Sequence, residues 1–404
     1  MADSPRLVSE LGSPLLPLIN GGVRPAPTLS QAKKILVIRL DGLGDALMTV
    51  PFLRELRRSA PHTEISLVVK PAVAELLALC PYVDRIHTYE SRVTHPRWGT
   101  MQRHARALRF VQDHVWGKGF DLAIVPRWDN YFDHEHYLGF FTAIPDRVGY
   151  AEAVTPAKAQ NSAGSDRLFT RVFHDSIIRH EVEYSLRLLQ MLGGNVENDE
   201  MELWLSPQDR ARASAFLERA GVGAGELIVG LGVGASLPRR VWPVERFIRV
   251  ARELRNKWGV RLVVVGGPGE AAQAREFERE MAGEFLNAQA EGLSIRETAA
   301  LLERCHLYVG NNTGPMHLAA IFKVPVIEMS CHPASDLSSN DNSPQRFKSW
   351  KTPGVVLQPA VPIPPCQTSC VQLMAHCING IGVAEAFREC DRWLERLAAK
   401  PRVG

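Results

Sequence analysis

The sequence has 404 residues and a formal net charge of +3, and 45% of its residues are apolar and 23% charged. This composition is typical of a globular chain, and the length suits two domains of about 150 to 200 residues. The small net charge gives no reason to expect a nucleic-acid partner, and no apolar stretch approaches the roughly 20 residues of a membrane span.

The first 33 residues are predicted to be a poorly ordered extension. They carry prolines at positions 5, 14, 17, 25 and 27, and they lack the basic start and the continuous apolar stretch of a signal peptide. Seven cysteines, an odd number in a chain of this size, indicate a reducing compartment. We therefore expect a cytoplasmic protein.

From residue 34 onward, short β-branched runs alternate with amphipathic runs. Strands are predicted at KILVIRL (34–40), EISLVV (64–69), VDRIHTY (83–89) and DLAIVP (121–126). Helices are predicted between them, at TVPFLRELRRSAP (49–61) and AVAELLALCP (72–81). This alternation is typical of a parallel sheet covered by helices, and it becomes less clear over 128–205.

The alternation starts again near residue 206, where Ser206 suits a helix N-cap and Pro207 the first helical position. Strands are predicted at 227–234, 260–269, 307–309 and 324–329, and helices at 243–259, 276–282, 294–305, 314–322 and 382–398. The sequence thus predicts an α/β protein with domains at 34–205 and 206–380. The last helix, within 381–404, is expected to pack back toward the first domain.

The stretch RLDGLGDALMTVP (39–51) leaves a predicted strand and enters an apolar helix. Gly42 and Gly44 resemble a G-x-G turn, but the third glycine of a dinucleotide fingerprint is missing, which makes NAD a weak interpretation. Asp41 and Asp45 lie in the same turn. Asp45 can face a ligand that approaches the glycines, or it can cap the helix.

Two loops of the second half could bind an anion. GLGVGASLPRRVWP (230–243) has small residues followed by Arg239 and Arg240, which could hold a diphosphate or could simply be exposed. GNNTGPMHLAA (310–320) opens a helix, and the N–H groups of a helix start attract anions. The candidate binding residues of this second loop are Asn312, Thr313, Gly314 and His317.

Two further features have open interpretations. Glu270, after VVVGGPG, could accept hydrogen bonds from a ribose or be an exposed acid at a helix start. Cys366, Cys370 and Cys377 cluster in sequence, with Cys390 beyond, but their spacing is not the paired C-x-x-C of a zinc site. We interpret them as buried or loop thiols, with a metal ion as the alternative, and we predict neither a cofactor nor a metal site.

The region 85–109 is basic, with arginines at 85, 92, 97, 103, 106 and 109 against one acid, Glu90, and with histidines at 87, 95 and 104. It could attract an anionic partner, or it could be the solvated face of a helix.

Three ordered segments resemble glycosyltransferase family 9, the ADP-heptose:lipopolysaccharide heptosyltransferases. The segments are 35–69 (ILVIRLDGLGDALMTVPFLRELRRSAPHTEISLVV), 239–247 (RRVWPVERF) and 293–327 (LSIRETAALLERCHLYVGNNTGPMHLAAIFKVPVI). The resemblance covers roughly 35–395. It implies a GT-B fold of two Rossmann-like domains facing across a cleft, an N-terminal acceptor domain and a C-terminal nucleotide-sugar domain.

The resemblance also implies metal-independent, inverting transfer of heptose from ADP-heptose to the lipopolysaccharide inner core. The family's base aligns with Asp45 and its basic phosphate contact, usually lysine, with Arg240. Its Asp-Thr/Ser-Gly donor motif aligns with Asn312-Thr313-Gly314. Because such an acceptor is anionic and membrane-borne, the resemblance also implies peripheral contact with the inner face of the cytoplasmic membrane.

Asn312 departs from the family pattern, where an acid stands. This departure keeps open a non-catalytic nucleotide-binding regulatory protein, and a GT-B sugar-nucleotide epimerase is a second alternative. Product analysis separates the epimerase from a transferase, and absence of turnover despite ADP binding identifies the regulatory protein.

Overall fold

The computed structural model describes residues 28–92, 99–281, 283–336, 343–367 and 370–399. The chain divides into two units, Met1–Asp199 and Glu200–Gly404. The predicted domain division at 205/206 lies close to this boundary. Most of the predicted extension 1–33 lies outside the described residues, which begin at Thr28.

The first unit alternates strands and helices along the chain. In order, its elements are β1 (Lys34–Ile38), α1 (Leu43–Ser59), β2 (Glu64–Val69), α2 (Pro71–Leu76), β3 (Arg85–Thr88), α3 (Gly99–His114), β4 (Leu122–Val125), α4 (Glu135–Phe141), β5 (Asp146–Tyr150), α5 (Pro156–Asn161), β6 (Arg171–Phe173) and α6 (Glu181–Met191).

The first sheet has the strand order β3-β2-β1-β4-β5-β6, and all neighbouring strands are parallel. The chain builds outward from β1 to β3 and then crosses to the other side of β1 to form β4. β1 and β4 are apolar and buried along their lengths, as central strands covered on both faces must be. The carboxyl ends of β1 and β4 therefore lie beside each other at the point where the strand order reverses.

The second unit repeats this plan. Its elements are α7 (Pro207–Arg219), β7 (Ile228–Gly232), α8 (Val244–Trp258), β8 (Arg261–Val264), α9 (Ala271–Met281), β9 (Leu286–Asn287), α10 (Ile295–Glu303), β10 (Leu307–Asn311), α11 (Gly314–Ile321), β11 (Val326–Met329), α12 (Pro344–Phe347), β12 (Gly354–Leu357) and α13 (Val383–Ala398).

The second sheet has the order β12-β11-β10-β7-β8-β9, again with all neighbouring strands parallel. β7 and β10 are its central pair, and the strand order reverses between them. Both units thus have the doubly wound arrangement in which ligands bind at the carboxyl ends of the strands. The predicted α/β class is confirmed.

A tyrosine packs against glycines at the centre of the second sheet. A Cβ atom added at Gly232 would collide with the Tyr308 hydroxyl oxygen, and one added at Gly310 would lie 2.6 Å from it. Because Tyr308 is fully buried, the ring has no other place to move. Small residues at the ends of β7 and β10 are therefore required by packing.

The last helix, α13, packs on α8. Asp391 accepts hydrogen bonds from Trp258 Nε1 at 2.9 Å and from Lys257 Nζ at 2.7 Å, and Ala386, Cys390 and Leu394 belong to the core of the second unit. The predicted packing of this helix toward the first domain stays a prediction.

In the described part of the chain, no helix combines the length and the apolar character that crossing a membrane requires.

Candidate functional site

The turn after β1 contains a buried carboxylate between two arginines. Asp41, with 3% of its surface exposed, forms an ion pair with Arg39, whose Nε lies 2.8 Å from Asp41 Oδ2, and it also contacts Arg127, which follows β4. Arg39 and Arg127 come from the two central strands, so the ion pairs join the ends of β1 and β4. A buried charge needs such partners, because an unpaired one is strongly destabilising.

Asp45 lies in the same turn but has a different environment. The N-cap position of α1 is Gly42, so Asp45 is inside the first helical turn and is not the cap residue. Its side chain is 28% exposed, and its carboxylate lies 3.7 Å from Arg39 Nη2. Gly42 has φ −73°, which any residue can adopt, so the turn does not require glycine for its backbone angle.

The absence of a side chain at Gly42 leaves space next to that carboxylate. A Cβ atom added at Gly42 would lie 3.7 Å from Asp45 Oδ2. Of the two acids in the turn, Asp45 is thus the accessible one and Asp41 is enclosed. Gly44 is the second residue of α1.

Two glutamates and Asp129, which pairs with Arg127, also belong to the charge cluster. Glu181 Oε2, at the start of α6, lies 3.6 Å from Arg39 Nη2, and Glu135 Oε1, at the start of α4, lies 3.7 Å from Arg127 Nε. Both glutamates are almost fully buried. The two arginines are therefore held from several elements at once, and they in turn hold the turn that carries Asp45.

The basic region 85–109 is only partly available to a partner. Arg97 and His95 lie outside the described residues. Arg85 pairs with Glu64, and Arg106 donates to the carbonyl oxygens of Glu90 and Arg92. These contacts use part of the charge within the first unit.

His104 is also packed into the first unit. Its ring lies 4.8 Å from the rings of both His134 and Tyr137. Burial lowers the pKa of His104 below its ordinary value and that of His134 to about 2. These rings are therefore neutral at physiological pH and add no positive charge to the region.

In the second unit, Asn311 fixes two loops. Its amide nitrogen donates to the carbonyl oxygens of Val233 and Gly234, both at 3.1 Å, and its Oδ1 accepts from the backbone N–H of Trp242 at 2.9 Å. Asn311 thus joins the end of β10, the turn after β7 and the segment that carries the two arginines.

The loop with Arg239 and Arg240 is a short 3₁₀ turn, Pro238–Arg240, in which both arginines are half-buried. Trp242 follows directly and is completely buried. The tryptophan and Asn311 therefore fix the C-terminal end of the arginine loop.

Asn312 points into the protein. Its amide nitrogen donates to Glu328 Oε1 at 2.6 Å and to the carbonyl oxygen of Phe347 at 3.0 Å. Glu328 is completely buried in β11, and burial raises its pKa to about 7. An aspartate at position 312 would lack both donors and would put a second carboxylate against Glu328.

Thr313 is the N-cap residue of α11, and Gly314 is its first residue. The Thr313 hydroxyl donates to the carbonyl oxygen of Asn311 at 3.3 Å. His317 is buried within the same helix, with 3% of its surface exposed. The predicted polar loop therefore forms one helix start beside the central strand β10.

Glu270 ends a 3₁₀ turn after β8 and accepts from the backbone N–H of Gly267 at 3.2 Å. Its side chain lies against Gly234 and Gly266, where an added Cβ atom would come within 2.5 Å of it. Burial raises the pKa of Glu270. Because Gly234 and Gly266 have no side chains, Glu270 can lie directly against the turn after β7.

The cysteines of the 366–377 segment come together in space. Cys366, Cys370 and Cys377 are buried and share their surroundings with His376. Cys390 is separate in its role, since it belongs to the core beneath α13.

The residues that the sequence interpretation missed are Arg39, Arg127, Asn311 and Glu328. Each is a polar residue within or directly after an apolar strand, and this placement was the available signal. Their partners are distant in sequence, which hides their roles.

Comparisons with known proteins agree with this architecture. A family model described as glycosyltransferase family 9 (heptosyltransferase) matches residues 137–329. Lipopolysaccharide heptosyltransferase 3 of Escherichia coli is 21% identical over 290 residues, covering 71% of this chain and 79% of that protein.

Two solved structures share the fold. A glycosyltransferase family 9 protein from Veillonella parvula has a TM-score of 0.70 at 21% identity and covers 92% of this chain and 99% of its own. The ADP-heptose lipopolysaccharide heptosyltransferase II of E. coli has a TM-score of 0.65 at 18% identity and covers 91% and 100%. These likenesses confirm the GT-B fold and the resemblance to glycosyltransferase family 9.

Replacing Glu328 by glutamine should stabilise the protein in a pH-dependent way. The folded-state pKa of Glu328, about 7, exceeds the ordinary value of 4.5. Burial of the charge therefore lowers the free energy of unfolding progressively as pH rises from about 4.5 to 7, and by the full amount above pH 7. Glu328→Gln removes that cost, up to about 3 kcal/mol.

Thermal melts at about pH 5 and about pH 8 provide the measurement. The melting temperature of Glu328→Gln should exceed that of the parent by clearly more at the higher pH than at the lower one. Glu253→Gln, which changes an exposed acid, is the control and should show no such dependence. Equal shifts at both pH values would show that the charge of Glu328 is not responsible.

Proposed function

We propose that this chain, which resembles glycosyltransferase family 9, is an inverting glycosyltransferase that moves heptose or a related sugar from an ADP-sugar to a lipopolysaccharide-core acceptor. The observation that carries the proposal is the pair of GT-B sheets with an accessible acid after β1 and a helix start after β10. The named heptosyltransferases among the relatives support heptose as the sugar.

The donor diphosphate is assigned to the second unit. The guanidinium of Arg240 and the N-terminus of α11, at Thr313 and Gly314, supply positive charge for the diphosphate when it leaves. His317 belongs to the same helix and Glu270 is the candidate for the ribose. Asn312 contributes to this loop through its main chain, because both hydrogens of its amide bond inward.

The base is assigned to Asp45 in the first unit. It takes the proton of the acceptor hydroxyl while the hydroxyl oxygen attacks the anomeric carbon and the bond from that carbon to the diphosphate breaks. Attack opposite to the leaving group inverts the anomeric centre. Asp41 supports this turn through its ion pairs and does not touch the substrate.

The remaining assignments concern the acceptor and its location. An anionic core acceptor fits arginines of the 85–109 region that stay exposed, and a membrane-borne acceptor fits a cytoplasmic enzyme in peripheral contact with the inner membrane.

The family match covers 137–329 and so includes Arg240 and the Asn312–Gly314 loop. Asp45 lies outside it, and its role depends on the resemblance of 35–69.

The pair of Asn312 and Glu328 weighs against a regulatory, non-catalytic function. The departure from the family's acid has a structural cause here, since position 312 must donate to a buried carboxylate. It is therefore no sign that donor chemistry has been lost.

Asp45→Asn should lower turnover by about 10²-fold or more, the usual scale for loss of a general base. The amide keeps the size of the side chain, so the melting temperature and the affinity for ADP should change little. Turnover, ADP binding and thermal melts should be measured on the same preparations.

Asp41→Asn is the matched comparison in the same turn. Because it breaks buried ion pairs, it should lower the free energy of unfolding by about 3 kcal/mol and cost less turnover per folded molecule than Asp45→Asn. Near-normal turnover of Asp45→Asn would leave the base unassigned.

Arg240→Ala should weaken nucleotide-sugar binding more than Arg239→Ala. A charge-assisted hydrogen bond to phosphate contributes about 1.5 to 3 kcal/mol, which corresponds to roughly a 10- to 150-fold loss of affinity. Calorimetric titration with ADP on both variants makes the comparison. A larger loss for Arg239→Ala would contradict the alignment of this loop with the family.

Donor binding and transfer should not depend on added Mg²⁺ or Mn²⁺. Among the described residues, the group of three or more metal-type ligands is made of cysteines and histidine and contains no carboxylate for a hard cation. Rates should be compared with and without these ions after desalting. An increase on adding Mg²⁺ would contradict a diphosphate neutralised by arginine and a helix start.

A further inference from the structure

We propose that Cys366, Cys370, His376 and Cys377 bind one thiophilic transition-metal ion, zinc or iron, in a structural tetrahedral site. The site lies in the second unit, in the segment between β12 and α13. It is separate from the proposed donor and base residues, and it supports the fold and not the transfer chemistry.

The geometry fits four ligands around one ion. One ligand atom from each of the four residues lies within 4.8 Å of all the others. His376 Nδ1 is 3.5 Å from Cys366 Sγ and also 3.5 Å from Cys377 Sγ. Metal bonds of about 2.3 Å to sulfur and 2.0 Å to nitrogen give tetrahedral edges of about 3.5 Å between sulfur and nitrogen.

The chemistry of the ligand set also fits. Three thiolates and one imidazole form a known structural zinc set, and sulfur-rich tetrahedral sites select zinc or iron over hard cations. The three cysteines are buried and Ile363 packs against them. Water is thus largely excluded from the sulfur atoms, which favours the metal–thiolate bonds.

A backbone contact supports one of the sulfur atoms. The N–H of Ile363 donates to Cys377 Sγ at 3.5 Å, and the carbonyl oxygen of Ile363 accepts from the N–H of Cys366 at 3.0 Å. Such N–H bonds to sulfur orient and stabilise metal-bound thiolates. Ile363 thereby connects two of the four ligands.

The position of the site explains what it stabilises. The turn after Cys377 is tied to α8, since the carbonyl oxygen of Ile381 accepts from Trp242 Nε1 at 3.1 Å and from Arg246 at 2.6 Å. A metal ion at Cys377 would therefore fix the turn that holds the start of α8. Loss of the ion should loosen this part of the second unit.

The experiment measures metal content on the full chain purified without chelator. Elemental analysis should find about one zinc or iron ion per chain, and the metal-free protein should take up Zn²⁺ or Co²⁺ at the same ratio. Co²⁺ should give thiolate charge-transfer and tetrahedral absorption bands.

Cys370→Ser and His376→Ala should lower the bound metal well below one ion per chain, weaken the cobalt bands and reduce the melting temperature by about 5 °C or more. Cys305→Ala, which removes a buried cysteine elsewhere in the second unit, is the control and should keep the full metal content. If one ligand variant fails to fold, the other and the cobalt spectrum of the parent still decide the question.

Three results would overturn the proposal. They are a folded parent protein that neither contains nor takes up metal, a metal content unchanged in both ligand variants, and a disulfide between two of the three cysteines in freshly purified protein.

Discussion

The parallel pairing of the two central strands in each sheet is the constraint on which the candidate site depends. β1 pairs with β4 in the first sheet, and β7 pairs with β10 in the second, so within each sheet the residues that follow the two central strands meet at the carboxyl edge of that sheet even though they are distant in sequence. At these edges Asp41 joins the ends of β1 and β4, and Asn311 joins the ends of β7 and β10. The ends of the two central strands are thus joined by ion pairs in the first unit and by the side-chain amide of Asn311 in the second.

The Asp41 ion pairs and the Asn311 hydrogen bonds leave different neighbouring groups accessible to a ligand. Around Asp41, buried arginines and acids form ion pairs with one another, and the acid that keeps solvent access is Asp45, one helical turn further on. Around Asn311, the amide satisfies carbonyl groups of the turn after β7 and thereby fixes the arginine loop. Buried polar groups must find partners in this way, and their partners determine which neighbouring groups stay available to a ligand.

The sequence predicts most of the central strands because they are continuous apolar runs, but it does not predict the elements within 128–205. β5 shows why. It is buried throughout although it contains Asp146, which pairs with Arg171, and Arg147, which donates to the carbonyl oxygens of Leu168 and Ile144. Hydropathy cannot identify a strand whose polar residues are compensated only in the folded state. The candidate site follows the same rule: candidate residues within motifs, such as Asp45 and Arg240, can be named from the sequence, whereas the contacts of Asn311 and Glu328 become visible only through their partners.

In the cysteine segment, as around Asn311, contacts in the folded chain bring together side chains that are apart in sequence. Sequence spacing indicates a metal site most clearly when the ligands come in two short pairs of cysteines, and here only Cys366 and Cys370 form such a pair. The fold brings them together by another route, because Ile363 bonds to Cys377 Sγ and to the N–H of Cys366 and so joins two parts of the segment. His376, adjacent to Cys377, then completes a set of four. A cluster of this kind therefore need not be evident from ligand spacing along the chain, since loop contacts can supply the proximity that spacing lacks.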